Sequence, residues 1–270
     1  MALLEAPGPV WLDDELKTTG DAPGAISAEV AVLMGTALGI SPACHLRGDA
    51  MLGEHLDLLA DAAATLGYHG VDAPALADAL GDLAGGDSVI ALVPGPAAHR
   101  AAPPGDDWSL VRWPAARGAA GPIDAAVSPT PRNHLSPATG VLLLDDTELS
   151  AGARAAQRAG RDGCVWVDLD GRLSCLDQGA LVLRFDGRLV TPSAGCGAVR
   201  TAWRDALVRG GSLEEGELVL ADLRRADSAA CLQPWATVRP VARVGDLVFG
   251  DRGAAEELGA LVDRMIEGRR

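Results

Sequence analysis

Four side chains in this sequence have the chemistry to carry catalysis. They are the thiols of Cys175 and Cys196, the carboxylate of Asp146 and the imidazole of His134. A thiol becomes a nucleophile where a nearby cation or a helix N-terminus lowers its pKa. A carboxylate or an imidazole can donate or accept a proton near neutral pH. These residue types therefore predict acid–base or thiol-assisted chemistry.

Each candidate also has a purely structural interpretation, which the sequence leaves open. Cys175 fits a small buried apolar residue, and Cys196 fits a tightly packed residue in a glycine-rich turn. His134 fits an exposed loop histidine. Asp146 fits the N-cap of a helix, because Asp is among the residues preferred there.

Two arginines, Arg200 and Arg239, are the candidate groups for binding a substrate carboxylate. A guanidinium group suits that role, although Arg200 could equally pair with an acidic residue of its own domain. The sequence contains no zinc-binding pattern, Walker loop, GxGxxG or serine–histidine–aspartate set. No metal ligands are predicted.

Local signals predict the elements that hold these residues. Asp145 and Glu148 stand at capping-box spacing, alanines fill the segment that follows and Gly160 closes it, which predicts a helix over residues 145–160. Residues 164–168 alternate apolar side chains and predict a strand.

Turn dipeptides and glycines predict the elements that follow. Asp170-Gly171 and Asp186-Gly187 are hairpin dipeptides. Gly195–Arg200 is predicted to open another helix, the usual arrangement of a phosphate cradle. A helix N-terminus at that point would favour the thiolate of Cys196.

The first part of the chain is predicted to form a small α/β domain. Strands are predicted over Val10–Leu16 and Ser88–Val93, helices over Gly53–Leu66 and Ala73–Leu83, and an apolar core segment over Ala25–Leu38.

A proline-rich segment, SPTPRNHLSPATG, marks the predicted connection between two domains. It spans Ser128–Gly140, and its three prolines disfavour regular structure. The predicted organisation is a small α/β domain over residues 1–120, an interdomain linker over 121–140 and a larger, strand-rich domain over 141–270. The last helix is predicted over Gly253–Arg269.

Composition excludes several function classes. The net charge of −14 and the pI near 4.7 argue against nucleic acid or an anionic membrane surface as a partner. The five cysteines are odd in number and form no CxxC pair, which indicates reduced thiols in a cytoplasmic protein. The first residues lack the basic and apolar regions of a signal peptide, and no apolar run favours a membrane span.

The order of these motifs resembles a known enzyme family. The stretches DDTELSAGARAAQRAG, CVWVDLDGRLSCLDQGALVLRFDGRLVTP and SAGCGAVR follow one another. Ala226-Asp227 and Pro240-Val241 come downstream, and GEHLDLLADAAATLGY lies upstream. This order is similar to the class IV (fold-type IV) pyridoxal-phosphate enzymes, which include branched-chain and D-amino acid aminotransferases and aminodeoxychorismate lyase. The resemblance implies an α/β (α+β) two-domain fold, a homodimer and a small-molecule substrate with a carboxylate.

The sequence departs from this family where the resemblance places the groups that hold the cofactor. The Schiff-base lysine falls on Val141 and the pyridine-nitrogen glutamate on Cys175. The phosphate-binding arginine falls on Leu58, and two phosphate-binding threonines fall on Val199 and Pro234. Pyridoxal phosphate needs an amine, a ring carboxylate and a phosphate anchor. No cofactor is therefore predicted, and pyridoxal phosphate is predicted not to bind.

Three functions remain open. The first is a pyridoxal-independent enzyme of specialised metabolism that reuses the emptied cavity between the two domains for a cyclisation, elimination, isomerisation or acyl transfer. In it, Asp146 replaces an active-site tyrosine of the family. The second is an inactive relative that acts as a binding partner. The third is a genuine pyridoxal-dependent aminotransferase or lyase, which would require Lys17, the only lysine, to hold the cofactor.

The first testable prediction concerns the homodimer. The segment that holds Trp108 and Trp113 has two of the few aromatic residues, which make up 3% of the chain, so we expect it to contribute to a dimer interface. Light scattering at micromolar concentration should give about twice the chain mass of 27.6 kDa. A stable monomer under those conditions would contradict the prediction.

Overall fold

The computed structural model describes residues 9–12, 15–18, 41–48, 50–80, 87–94, 108–114, 121–143 and 146–268. The chain divides into two compact units, residues 1–117 with 142–145 and residues 118–141 with 146–270. The segment 121–140, which the sequence predicts to be a linker, lies within the second unit and carries one of its strands. The predicted segment Ala25–Leu38 lies outside the described residues.

The described part of the first unit contains two small antiparallel sheets and two helices. Strands β1 (Pro9–Leu12) and β2 (Glu15–Thr18) pair where the sequence predicts one strand. Strands β3 (Ala43–Leu46), β4 (Ser88–Pro94) and β5 (Trp108–Pro114) form the other sheet in that order. The helices are α1 (Leu52–Thr65) and α2 (Ala73–Leu80), close to their predicted bounds. The tryptophan side chains of β5 are outside the described part, so the dimer interface stays a prediction.

The core of the first unit forms because α1 is amphipathic. Leu56, Leu59 and Ala63 recur at helical spacing and are all buried. They pack with Ile90 and Leu92 of β4, which are also fully buried. One apolar helix face against one apolar sheet face is a sufficient core for a unit of this size.

A nine-stranded mixed sheet dominates the second unit. Its strands are β6 (Ile123–Val127), β7 (Gly163–Val167), β8 (Leu173–Leu176), β9 (Ala180–Phe185), β10 (Arg188–Pro192), β11 (Glu214–Gly216), β12 (Ser228–Leu232), β13 (Val238–Val244) and β14 (Leu247–Val248). The order is β11-β10-β9-β12-β13-β6-β7-β8, and β14 pairs with β13. The apolar side chains of these strands make one buried core cluster.

Two tight turns set the register of this sheet, and both were predicted from their dipeptides. Asp186 and Gly187 have φ angles of 48° and 80°, as a two-residue turn between β9 and β10 requires. Gly171 has a φ of 80° in the turn between β7 and β8. A side chain other than that of glycine would strain this conformation.

Three helices complete the second unit: α3 (Thr147–Arg158), α4 (Ala202–Arg209) and α5 (Gly253–Glu267). The prediction that a helix opens at Gly195–Arg200 is wrong. Ala194–Cys196 is a single 3₁₀ turn, and Gly197 follows it with a φ of 75°, which interrupts the helical path. The α-helix begins only after Thr201, whose side chain accepts the amide hydrogen of Arg204. None of the helices described is both long enough and apolar enough to cross a membrane.

Close packing of α3 against β7 depends on a glycine. A Cβ atom at Gly152 would lie 2.4 Å from Cζ2 of Trp166 and 2.8 Å from Sγ of Cys164. Both neighbours are buried and cannot move freely. Gly152 therefore allows α3 to approach the strand that carries Trp166.

The second testable prediction is that Gly152→Ala destabilises the protein by about 1–3 kcal/mol, since overpacking outweighs the higher helix propensity of alanine. The measurement is the free energy of unfolding by urea denaturation.

Gly259→Ala is the matched control for this prediction. Gly259 lies in α5, and a Cβ there has no atom within 4 Å. This control should be neutral or stabilising by up to about 1 kcal/mol. Equal effects of the two substitutions would contradict the packing argument.

Candidate functional site

Asp146 lies at the N-cap of α3 and also forms an ion pair. Its Oδ1 accepts the backbone N–H of Leu149 at 3.0 Å, which is the N-cap bond. Its Oδ2 accepts Nη2–H of Arg132 at 2.9 Å. The helical role that the sequence allowed for Asp146 is therefore present, and a buried cation is added to it.

Arg132 is the residue that the sequence analysis missed. Its side chain is only 1% exposed, and its Nη2 donates to the carbonyl of Thr139 at 2.8 Å as well as to Asp146. Its Nε and Nη1 make no hydrogen bond in the described part of the chain, and the nearest carboxylate to Nη1, that of Glu148, is 4.0 Å away. The available signal was that Arg132 is the only arginine or lysine in SPTPRNHLSPATG.

Cys175 lies on β8 and is fully buried. Burial raises the pKa of its thiol above the ordinary value, and the positive charge of Arg132 opposes that rise only in part. A thiol with a raised pKa is a poor nucleophile. The structure thus favours the buried apolar role for Cys175, and its catalytic role stays a prediction.

The side chains at the positions assigned to cofactor binding do not fit pyridoxal phosphate. Val141 and Val199 are buried aliphatic residues, and Pro234 is also buried. The first offers no amine, and the other two offer no hydroxyl for a phosphate. Cys175 presents a thiol, which cannot supply the carboxylate that a protonated pyridine nitrogen requires.

His134 lies between two carboxylates. Its Nδ1 is 3.5 Å from Oδ2 of Asp168, and its Nε2 is 3.5 Å from Oδ2 of Asp170. The imidazole is 11% exposed, so it is mostly buried rather than the exposed loop histidine that the sequence also allowed. Nδ1 makes no hydrogen bond in the described part of the chain, so the two carboxylates lie near the imidazole without bonding to it at that atom.

Arg172 holds the two carboxylates in place. Its Nε donates to Asp168 at 2.7 Å and its Nη2 to Asp170 at 3.1 Å, and the hydrogen bond with Asp168 raises the pKa of Arg172. The ligand atoms of His134, Asp168 and Asp170 lie within 4.8 Å of one another, a spacing that suits a cation. Arg172 already neutralises part of the negative charge of this cluster.

The turn that carries Cys196 lies close to this cluster. Cys196 is fully buried at the end of the 3₁₀ turn, with its Sγ 3.3 Å from Oγ of Ser193. A Cβ at the adjacent Gly197 would lie 2.9 Å from Cγ2 of Thr139 and 3.3 Å from Cβ of His134. Since no α-helix starts at Cys196, the predicted effect of a helix dipole on its thiol is wrong.

The four catalytic candidates therefore fall into two groups around the loop of residues 128–140. Asp146 forms an ion pair with Arg132, whose charge also acts on Cys175, whereas the turn that carries Cys196 packs on His134 and Thr139 through Gly197. The sequence did not predict this division, because it depends on the path of the loop.

The two arginines predicted to bind substrate are engaged within the second unit. Nε and Nη2 of Arg200 each approach Oδ2 of Asp205 to 2.8 Å. Arg239 is buried and donates to the carbonyl of Gly121 at 2.8 Å and to Oε1 of Gln178 at 2.5 Å. These contacts favour structural roles, and their roles in substrate binding stay predictions.

Comparison with solved structures gives the same fold. A T.th. branched-chain amino acid aminotransferase with pyridoxamine 5′-phosphate is 15% identical, with a TM-score of 0.78 over 98% of this chain and 96% of that chain. The branched-chain amino acid aminotransferase from Escherichia coli is 20% identical, with a TM-score of 0.75 over 96% and 92%. A putative 4-amino-4-deoxychorismate lyase from Legionella pneumophila is 17% identical, with a TM-score of 0.73 over 86% and 92%.

These identities show the fold alone, and the predicted mixed α/β fold of the class IV type is confirmed. No curated protein matches the chain. The model of the family described as amino-transferase class IV matches residues 54–244, which is well over half of the sequence. The chain therefore belongs to the class IV aminotransferase family.

Proposed function

We propose that this chain is an enzyme that acts without pyridoxal phosphate and carries out acid–base chemistry on a small molecule with a carboxylate. One observation carries the proposal: the region that matches the family, residues 54–244, contains no lysine. A covalent link to the cofactor needs a lysine amine, and the chain has only Lys17. The side chains of Val141 and Cys175 support the same conclusion.

His134 is the proposed acid–base group. The Oδ2 atoms of Asp168 and Asp170 lie 3.5 Å from its two ring nitrogens, on opposite sides of the imidazole. Asp168 is itself fixed, since its Oδ1 accepts the amides of Asp170 and Arg172 at 3.0 and 2.8 Å. A base held in this way suits reactions that remove a proton next to a carbonyl or carboxyl group.

The burial of the two candidate thiols narrows the range of reaction types that we propose. Cys175 and Cys196 are both fully buried, which disfavours a thiol nucleophile and therefore an acyl transfer. An elimination, isomerisation or cyclisation needs only proton transfer and a bound substrate. We propose one of these three reaction types.

The family comparison favours a second candidate, a genuine pyridoxal-dependent aminotransferase or lyase. The matched family and the solved structures named above are of that kind, and one of those structures holds pyridoxamine 5′-phosphate. This candidate requires Lys17 of β2 to hold the cofactor. A catalytically inactive binding partner is the remaining alternative.

The third testable prediction separates the two candidates. We expect no yellow absorption band when the protein is incubated with pyridoxal phosphate, and no adduct after borohydride reduction, because no amine is available in the matched region. Mass spectrometry of peptides locates any adduct.

Lys17→Arg is the control for this experiment. An adduct on Lys17 that disappears in this variant, together with transamination of an amino acid, would establish the second candidate and end the proposal. An adduct that is unaffected by Lys17→Arg would show non-specific labelling of the N-terminal amine.

The fourth testable prediction concerns His134. The assay incubates small 2-oxo and 2-amino carboxylates with the protein in D₂O and follows their α-protons by proton NMR. We expect at least one compound whose α-proton exchanges in the presence of the protein. His134→Gln should slow that exchange about 10²–10⁴-fold, because the proton acceptor is lost.

His69→Gln is the matched control, since His69 is an exposed histidine of the first unit. It should leave the exchange rate unchanged. Absence of exchange for every compound, or equal rates for the two variants, would count against His134 as the base.

A further inference from the structure

We infer that Arg132 is the binding site for the carboxylate of a small monocarboxylate ligand, at the N-terminus of α3. The inference deepens the proposed function and rests on it, because it names the group that holds the substrate. It assigns to Arg132 a role that neither the sequence motifs nor the family resemblance indicated.

The first argument is the state of the guanidinium group. Only 1% of the Arg132 side chain is exposed, yet Nε and Nη1 have no hydrogen-bond partner in the described part of the chain. Buried donors are nearly always satisfied, because an unsatisfied one forfeits the hydrogen bond that water would give it. A ligand that brings acceptor atoms to Nε and Nη1 would remove this deficit.

The second argument is the acceptor that the chain lacks. The charge of Arg132 acts on Cys175, where the family resemblance places a glutamate. A glutamate there would offer a carboxylate to this guanidinium, whereas a thiol is a weak acceptor. Asp146 is thus the one hydrogen-bonded carboxylate of Arg132, and a ligand can supply the second acceptor that a glutamate at position 175 would give.

The third argument is the helix that starts beside the guanidinium. Helix α3 has twelve residues, and the amides of its first turn have no partners within the helix. Its N-terminus carries a partial positive charge that favours an anion. Asp146 accepts one of these amides, that of Leu149, so the N-terminus has capacity for further acceptors.

The charged side chains around Arg132 favour a ligand with a single negative charge. Asp146 already offsets one positive charge at 2.9 Å, and Glu148 adds a half-exposed negative charge at 4.0 Å from Nη1. A doubly charged phosphate would therefore meet about twice the repulsion that a singly charged carboxylate meets. The confined position of Arg132 also favours a ligand with a small acidic end.

The test compares acetate and pyruvate with inorganic phosphate and with acetamide, the neutral counterpart of acetate. Isothermal titration calorimetry on the full chain should show that acetate and pyruvate bind at least tenfold more tightly than acetamide and phosphate. Equal affinity for acetate and acetamide, or tighter binding of phosphate, would overturn the inference.

Two substitutions at one position make the test specific. Cys175→Glu places a carboxylate beside Arg132, so it should weaken pyruvate binding at least tenfold. Cys175→Ser is the matched control and should bind pyruvate like the parent chain. The inference is wrong if both variants bind pyruvate equally.

A second variant tests the guanidinium directly. Arg132→Gln should lose pyruvate binding, and circular dichroism will show whether α3 persists without its ion pair. The proton-exchange assay separates the two proposals. If pyruvate binding does not depend on Arg132 but proton exchange continues, only this inference is refuted. If pyruvate binds through Arg132 but no proton exchanges, only the acid–base function is refuted.

Discussion

The ion pair between Arg132 and Asp146 is the constraint on which the site depends. It joins the proline-rich loop to the first turn of α3, since Asp146 caps that helix with its other oxygen. The backbone of Arg132 is fixed as well, because its amide donates to the carbonyl of Val167 at 2.7 Å. One residue thus fixes the loop to both a strand and a helix, and the loop needs no regular structure of its own to be rigid.

The position of His134 follows from this constraint. Arg132 forms a parallel bridge with Asp168 at the end of β7, and two residues later the chain places the imidazole beside that same aspartate. The 3₁₀ turn then closes on the loop, and Gly197 is required because a Cβ would collide with Thr139. A change at Arg132 is therefore expected to disturb the acid–base cluster too, which is why the substitutions at Cys175 give the cleaner test.

Much of the fold could be predicted because its signals are local. The turn dipeptide Asp186-Gly187 and the cap of α3 act through neighbouring residues, and both were predicted. The helix expected from Gly195 failed because the glycine that suggested it adopts a positive φ and interrupts the chain. Arg132 was missed because what makes it notable is its burial beside Cys175, which lies forty-three positions away and is brought near only by the pairing of β7 with β8.

The buried charge of Arg132 is balanced within the second unit. A buried cation alone would be costly, but here Asp146 supplies a charge partner within the same unit. Val141 and Cys175 add no further charge, so no ligand is needed to neutralise them. Binding energy from a carboxylate at Arg132 is then available to hold a substrate rather than to complete the fold. A chain that depended on pyridoxal phosphate to balance buried charges would instead be expected to lose stability when the cofactor is withheld.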